Sequence, residues 1–168
     1  LSDTNMGYYG FLKTAYSKLE RAQTPNDKNA VKAICAKTGN KYGVEKRIEA
    51  FKANTIKPNT TYQVSFDYYI NSTLVPTFWV QIADPDWRKI IEFNAKSVEV
   101  QKWNSIEFNA KSVDFLQVNT LLKLFVCVDG PNTVEGDYII IQNLQLHETD
   151  LPNEWVPALE DQTAGIPN

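Results

Sequence analysis

Several aromatic side chains stand where a solvated strand face would ordinarily carry small or charged residues. In Thr77–Ala83, TFWVQIA, burial of Phe78, Val80 and Ile82 turns Trp79 and Gln81 the other way. In Leu121–Asp129, burial of Leu122, Leu124, Val126 and Val128 turns Phe125 out beside Lys123. In Thr61–Ile70, TYQVSFDYYI, the set Tyr62, Val64, Phe66, Tyr68 and Ile70 leaves Asp67 and Tyr69 on the opposite side. Trp87 lies in the turn sequence DPDW, away from any alternating run. Flat rings beside amides and carboxylates suit saccharides: the C–H face of a pyranose stacks on a ring, and its hydroxyls need donors and acceptors at the rim. The candidate ligand-binding set is therefore Trp79, Trp87, Tyr69 and Phe125 for stacking, with Asp67, Gln81, Glu107, Asn109 and Lys123 for hydrogen bonds. The competing explanation is that another layer, the segment Leu1–Ala22 or a neighbouring subunit covers these rings.

Catalytic chemistry has little to work with. His147 is the only histidine, which leaves no Ser–His–Asp set and no histidine metal cluster. No phosphate-binding loop, dinucleotide fingerprint or HExxH motif occurs, and no cofactor is called for. Asp67 and Glu107 share the polar side of their strands and can be imagined as a glycosidase pair, but such carboxylates more often orient a ligand or face water, and the chain is expected not to be an enzyme. Asp3, Asp129 and Asp137 are weak candidates for a structural calcium ion; turn capping is the plainer role for them. Cys35 and Cys127 fit a disulfide or, more simply, two small buried strand residues.

The chain that must position these groups has 168 residues, enough for one domain with its own core. A net charge of −3 provides no basic field for a nucleic-acid backbone. The apolar run LLKLFVCV, Leu121–Val128, contains a lysine and is too short to cross a bilayer, so no membrane insertion is expected. A chain that opens on Leu1 is expected to be processed or cut from a longer protein.

From residue 30 onward short alternating segments follow one another between turns rich in Gly, Pro and Asn: Ala30–Ala36, Val44–Phe51, Thr61–Ile70, Thr77–Ala83, the runs around Ile91 and Ile106, Leu121–Asp129 and Tyr138–Leu146. No stretch between them is long enough for crossover helices. The pattern predicts an all-β, antiparallel jelly-roll sandwich over residues 30–161, with a tail over 162–168. Residues 1–29 read as a less regular arm or linker, and Leu12, Ala15, Tyr16 and Leu19 are spaced for a short helix within Phe11–Ala22. The octapeptide IEFNAKSV occurs twice, at Ile91–Val98 and Ile106–Val113, and predicts two strands with Ile, Phe and Ala inward and Glu, Asn and Lys outward. Two copies are too few for a solenoid or propeller.

Three segments carry a resemblance. IKPNTTYQVSFDYYI resembles a strand of carbohydrate-binding-module-like jelly rolls, and KWNSIEFNA resembles a second strand of the same domains. GDYIIIQNLQLHETDLPNEWVPALED, Gly136–Asp161, is similar to the closing segment of tail and baseplate proteins from bacteriophages of Gram-positive bacteria, lactococcal phages among them. The resemblance implies a jelly-roll domain of a virion, acting at the host cell surface. Its partners would be host cell-wall or surface polysaccharide and other phage baseplate or tail proteins. Trp155 and Trp103 are expected to be structural anchors rather than site residues. Two further roles stay open beside this one: a baseplate adaptor whose aromatics form a protein interface, and a glycan hydrolase.

Overall fold

The computed structural model describes residues 11–22, 30–48, 56–93, 96–115 and 122–149. Eleven strands build two antiparallel sheets, and the described residues contain no α-helix. The strands are β1 (Phe11–Lys13), β2 (Ser17–Arg21), β3 (Val31–Cys35), β4 (Tyr42–Arg47), β5 (Thr61–Asn71), β6 (Thr77–Ala83), β7 (Lys89–Glu92), β8 (Lys96–Ser97), β9 (Asn104–Lys111), β10 (Lys123–Val128) and β11 (Tyr138–Glu148). One sheet has the order β1-β4-β10-β6-β7, with β8 also paired to β6; the other has the order β2-β3-β11-β5-β9. Sequential strands repeatedly switch sheets, and the fold is the expected jelly-roll sandwich.

Alternation does the local work. Along β5 every second side chain, Tyr62 through Ile70, is buried, and the residues between are half-exposed. The inner faces meet in one core in which Phe66, Tyr68, Phe78, Phe93 and Phe108 pack ring against ring. Cys35 and Cys127 are both buried, and both are free thiols. Burial pushes the Cys127 thiol up to about 12.

The helix expected in Phe11–Ala22 is not there. β1 pairs with β4 at the edge of one sheet, and β2 pairs with β3 at the edge of the other. Tyr16, at φ 62°, turns the corner between them. Ser17 pins the corner by accepting the Gly43 N–H at 2.9 Å. Spacings of three and four fit a helix and equally fit two short strands interrupted by a corner; long-range pairing decided between them. The far C-terminal expectations, the boundary at residue 161 and Trp155, lie outside the described residues.

The two IEFNAKSV copies fall on opposite sheets. The first contributes the end of β7 and then β8; the second is most of β9. Their equivalent residues Phe93 and Phe108 meet edge to face, with centroids 6.4 Å apart. Val98 is 6% exposed whereas Val113 is 45% exposed, so the same letters end in opposite surroundings. Ile91 and Phe93 are buried as expected, Ile106 and Ala110 are only partly buried, and residues 94–95 lie outside the described set.

Candidate functional site

The outer face of the β1-β4-β10-β6-β7 sheet gathers five of the nine candidate residues. Registration places Leu12, Glu45, Phe125, Gln81 and Glu92 in one lateral row and Gly43, Cys127 and Trp79 in the next outward-facing row. Trp87 reaches this face from the β6–β7 turn, where it stacks on Phe125 with centroids 5.4 Å apart and planes 29° apart. Trp79 leans on the same ring at 6.1 Å and 53°. Phe125 is thereby left 5% exposed, while Trp87 is 69% exposed and offers an open ring face. Phe125 thus supports the platform instead of forming its surface.

The turn that holds Trp87 is organised by one carboxylate. Asp84 Oδ1 accepts the backbone N–H of Asp86 at 3.0 Å and of Arg88 at 2.9 Å, and Oδ2 accepts Arg88 Nε at 3.1 Å. Trp87 N–H donates to the Asp84 carbonyl at 3.0 Å. Trp87 has φ 65°, a left-handed conformation that costs a residue with a side chain about 1–2 kcal/mol. The hydrogen bonds of Asp84 offset that cost and aim the indole at Phe125.

Polar groups surround the rings. Gln81, next to Phe125 on the neighbouring strand, is 3% exposed, and its Oε1 has no hydrogen-bond partner. An unsatisfied buried acceptor costs about 1–3 kcal/mol. Lys123 Nζ lies 3.1 Å from Glu45 Oε2, an ion pair without hydrogen-bond alignment. Lys41 Nζ sits 3.7 Å above the Trp79 ring and 3.9 Å from Asp129. Lys41 and Glu45 were not among the sequence candidates. Lys41 sits in a turn-like cluster, and Glu45 is opposite Phe125 only through pairing between distant strands.

The other four candidates lie on the opposite side of the sandwich. Asp67 and Tyr69 project from β5, and Glu107 and Asn109 from β9, on the outer face of the β2-β3-β11-β5-β9 sheet. The nine candidate residues are therefore divided between two faces, and a saccharide lying on one cannot touch the other. On this second face Tyr69 stacks with Tyr138 at 6.3 Å and 23°, and leans on Trp103 at 6.0 Å. Trp103, expected as a structural anchor, thus belongs to an outer aromatic group, and Tyr138 joins it through the β11–β5 pairing. Asp67 Oδ1 accepts Ser105 Oγ at 2.7 Å and Oδ2 accepts Gln142 Nε2 at 3.3 Å. Gln63 Nε2 donates to Glu107 at 3.5 Å and to Asn109 at 3.2 Å.

For calcium, Asp3 lies outside the described residues. Asp137 accepts Ser72 Oγ and the Val134 N–H, and Asp129 faces Lys41. Among the described residues no three His, Cys, Asp or Glu side chains converge on a common point.

No family model matches the chain, and no curated protein matches it. Solved structures do. An arabinose-bound GH51 α-L-arabinofuranosidase superimposes with TM-score 0.67 at 15% identity, over 88% of this chain and 25% of that one. A CBM4 structure matches with TM-score 0.56 at 11% identity, over 88% of this chain and 92% of the other. The CBM22-1 xylan-binding domain of Paenibacillus barcinonensis Xyn10C matches with TM-score 0.54 at 14% identity, over 82% and 85%. The chain thus spans a quarter of the arabinofuranosidase and most of each binding module. At these identities the likeness is one of fold.

Proposed function

We propose that this chain is a non-catalytic carbohydrate-binding module of a phage virion, a tail or baseplate component that attaches the particle to saccharide on the host cell surface. The observation that carries saccharide binding is the ring group of Trp87, Phe125 and Trp79 beside the partly exposed Lys41 and Lys123. A pyranose stacks on the open face of Trp87, and its hydroxyls meet Lys41, Lys123 and Glu45 at the rim. Fold likeness to a CBM4 structure and to a xylan-binding CBM22 domain supports this reading. The virion role rests on the resemblance of Gly136–Asp161 to the closing segment of phage tail and baseplate proteins.

The charges favour a neutral glycan. Lys123 is paired with Glu45, Arg88 with Asp84 and Lys89 with Glu92, so the rim has no surplus of either sign. Hydrolysis is disfavoured by the engagement of both Asp67 oxygens in hydrogen bonds, on a face away from the Trp87 platform. A single shallow site binds weakly, and many copies on one particle supply the avidity that attachment needs.

A glycan array and a host cell-wall pull-down with a multimerised form of the chain test the reading. Binding that is weakened in Trp87→Ala is expected. Absence of binding in every multivalent format would overturn it. A Trp87→Ala chain that keeps undiminished saccharide binding but no longer joins other tail proteins would instead identify an adaptor.

A further inference from the structure

We infer that the outer face of the β2-β3-β11-β5-β9 sheet is a second saccharide-binding surface, making one chain bivalent for neutral polysaccharide. This rests on the reading of the first face as a saccharide site, but its residues are separate. Tyr138, Tyr69 and Trp103 form a continuous aromatic row from β11 across β5 to the start of β9. All three are half-buried, so each is held in place and still presents surface.

The polar complement repeats that of the first face. Gln142 is 6% exposed, and its Oε1 lacks a hydrogen-bond partner, as Gln81 Oε1 does on the other sheet. Its Nε2 is tied to Asp67, whose other oxygen accepts Ser105 Oγ, so the polar groups beside the rings are held in fixed positions. Sugar hydroxyls donate to carboxylate and amide oxygens such as those of half-exposed Asp67 and exposed Gln101, whereas an anion is repelled by them. Next to the rings, Tyr69 Oη is hydrogen-bonded to Gln101 Oε1 at 3.1 Å, and Gln101 Nε2 donates to Asn71 Oδ1 at 2.7 Å. Exposed Gln101 and Ser105 add exchangeable hydroxyl and amide groups at the rim. Lys32 Nζ lies 4.1 Å from the Tyr138 ring centre and 3.8 Å from Glu20, so the cation here is also balanced. Aromatic rings flanked by fixed polar side chains and by a paired lysine are features that the two faces share.

Bivalency follows from the placement of the two faces. Packed sheets lie about 10 Å apart, and the outer side chains extend further still on both sides. One glycan strand lying flat on Trp87 cannot also lie on Tyr138, so occupancy of both faces joins two strands.

The test is affinity electrophoresis of the whole chain in gels containing soluble xylan, mixed-linkage β-glucan or solubilised cell-wall polysaccharide of a Gram-positive bacterium. Turbidity of each mixture is read in parallel. Trp87→Ala removes the first platform, Tyr138→Ala with Trp103→Ala removes the second, and Ser105→Arg blocks the second face without deleting a ring. The expected result is partial retention for each single-face variant, none for the combined variant, and turbidity only for the unaltered chain. Should Trp87→Ala abolish all retention, or Ser105→Arg and the Tyr138/Trp103 variant match the unaltered chain in both readouts, the second face is not a site and the first stands. Failure of the unaltered chain to be retained by any of the three polysaccharides removes both.

Discussion

Replacing Asp84 with alanine leaves every aromatic ring of the first face in the chain but takes away what aims Trp87. The side chain of Asp84 is 9% exposed and accepts hydrogen bonds from two backbone amides and the Arg88 guanidinium. Water replaces part of each bond in an exposed turn, so a net worth of about 1 kcal/mol apiece is appropriate, or about 2–3 kcal/mol together. Against this stands about 1–2 kcal/mol of left-handed strain at Trp87. Stacking on Phe125 returns about 0.5–1.5 kcal/mol, too little to hold the turn alone. The turn in Asp84→Ala therefore relaxes, and the conformer with Trp87 on Phe125 becomes a minor state. Apparent affinity falls by the fraction of competent chains, on the order of tenfold for about 1.4 kcal/mol. Titration calorimetry with a retained oligosaccharide reads this, and thermal unfolding should show a loss of only a few degrees. Asp84→Asn keeps Oδ1 for the two amides and loses mainly the ion pair to Arg88, worth about 0–1 kcal/mol at this exposed position. Its affinity should fall far less. Wild-type affinity in Asp84→Ala, or equal damage from Asn and Ala, would refute the positioning argument.

Three other outcomes follow from the same geometry. Trp87→Gly removes both the left-handed strain and the stacking, so urea unfolding should find stability within about 1 kcal/mol of the parent while saccharide binding falls to what the second face alone retains. The Cys127 thiol, pushed up to about 12 by burial, keeps its proton in the fold while an unfolded thiol loses it from about 9 upward. The unfolded state then binds fewer protons, so stability is intact below pH 9 and declines toward pH 12, by at most about 1.4 kcal/mol per pH unit from this group. Burial and the Asp137 charge also raise Tyr42, which adds a decline above pH 10, and Cys127→Ala should delete the decline between pH 9 and 10 and make it shallower above pH 10 in urea titrations across this range. Affinity for saccharide should change less than about twofold between about 0.05 and 0.5 M NaCl, since the rim charges are paired and the proposed ligand is neutral.

Alternation made the strands legible, because a half-buried strand writes its inner face into every second residue. Tyr62 through Ile70 and Phe78 through Ile82 are buried as their spacing predicts. The same signal says in or out but not which sheet, since sheet membership is settled by partners far along the chain. Trp79 and Phe125 meet because β6 pairs with β10, whereas Tyr69 and Glu107 share a face because β5 pairs with β9. The candidate set is therefore divided between two faces. Tyr138 had a usable signal: it shares a strand parity with Gln142, opposite buried Ile139 and Ile141. The Asp84 turn was visible only as DPDW, a loop with a tryptophan; its carboxylate clasp depends on backbone geometry that no spacing encodes. IEFNAKSV shows the limit most plainly, with one spelling serving two sheets and ending once in burial and once in solvent.

The most direct measurement uses the chain's four tryptophans as separate reporters. Their indole N–H resonances, assigned by single replacements, are followed by two-dimensional NMR during titration with a polysaccharide fragment that the chain retains. Saccharide stacking on the first face predicts saturable shifts of the Trp87 and Trp79 signals at one common dissociation constant. A fragment that binds while both of those signals stay fixed would contradict the account.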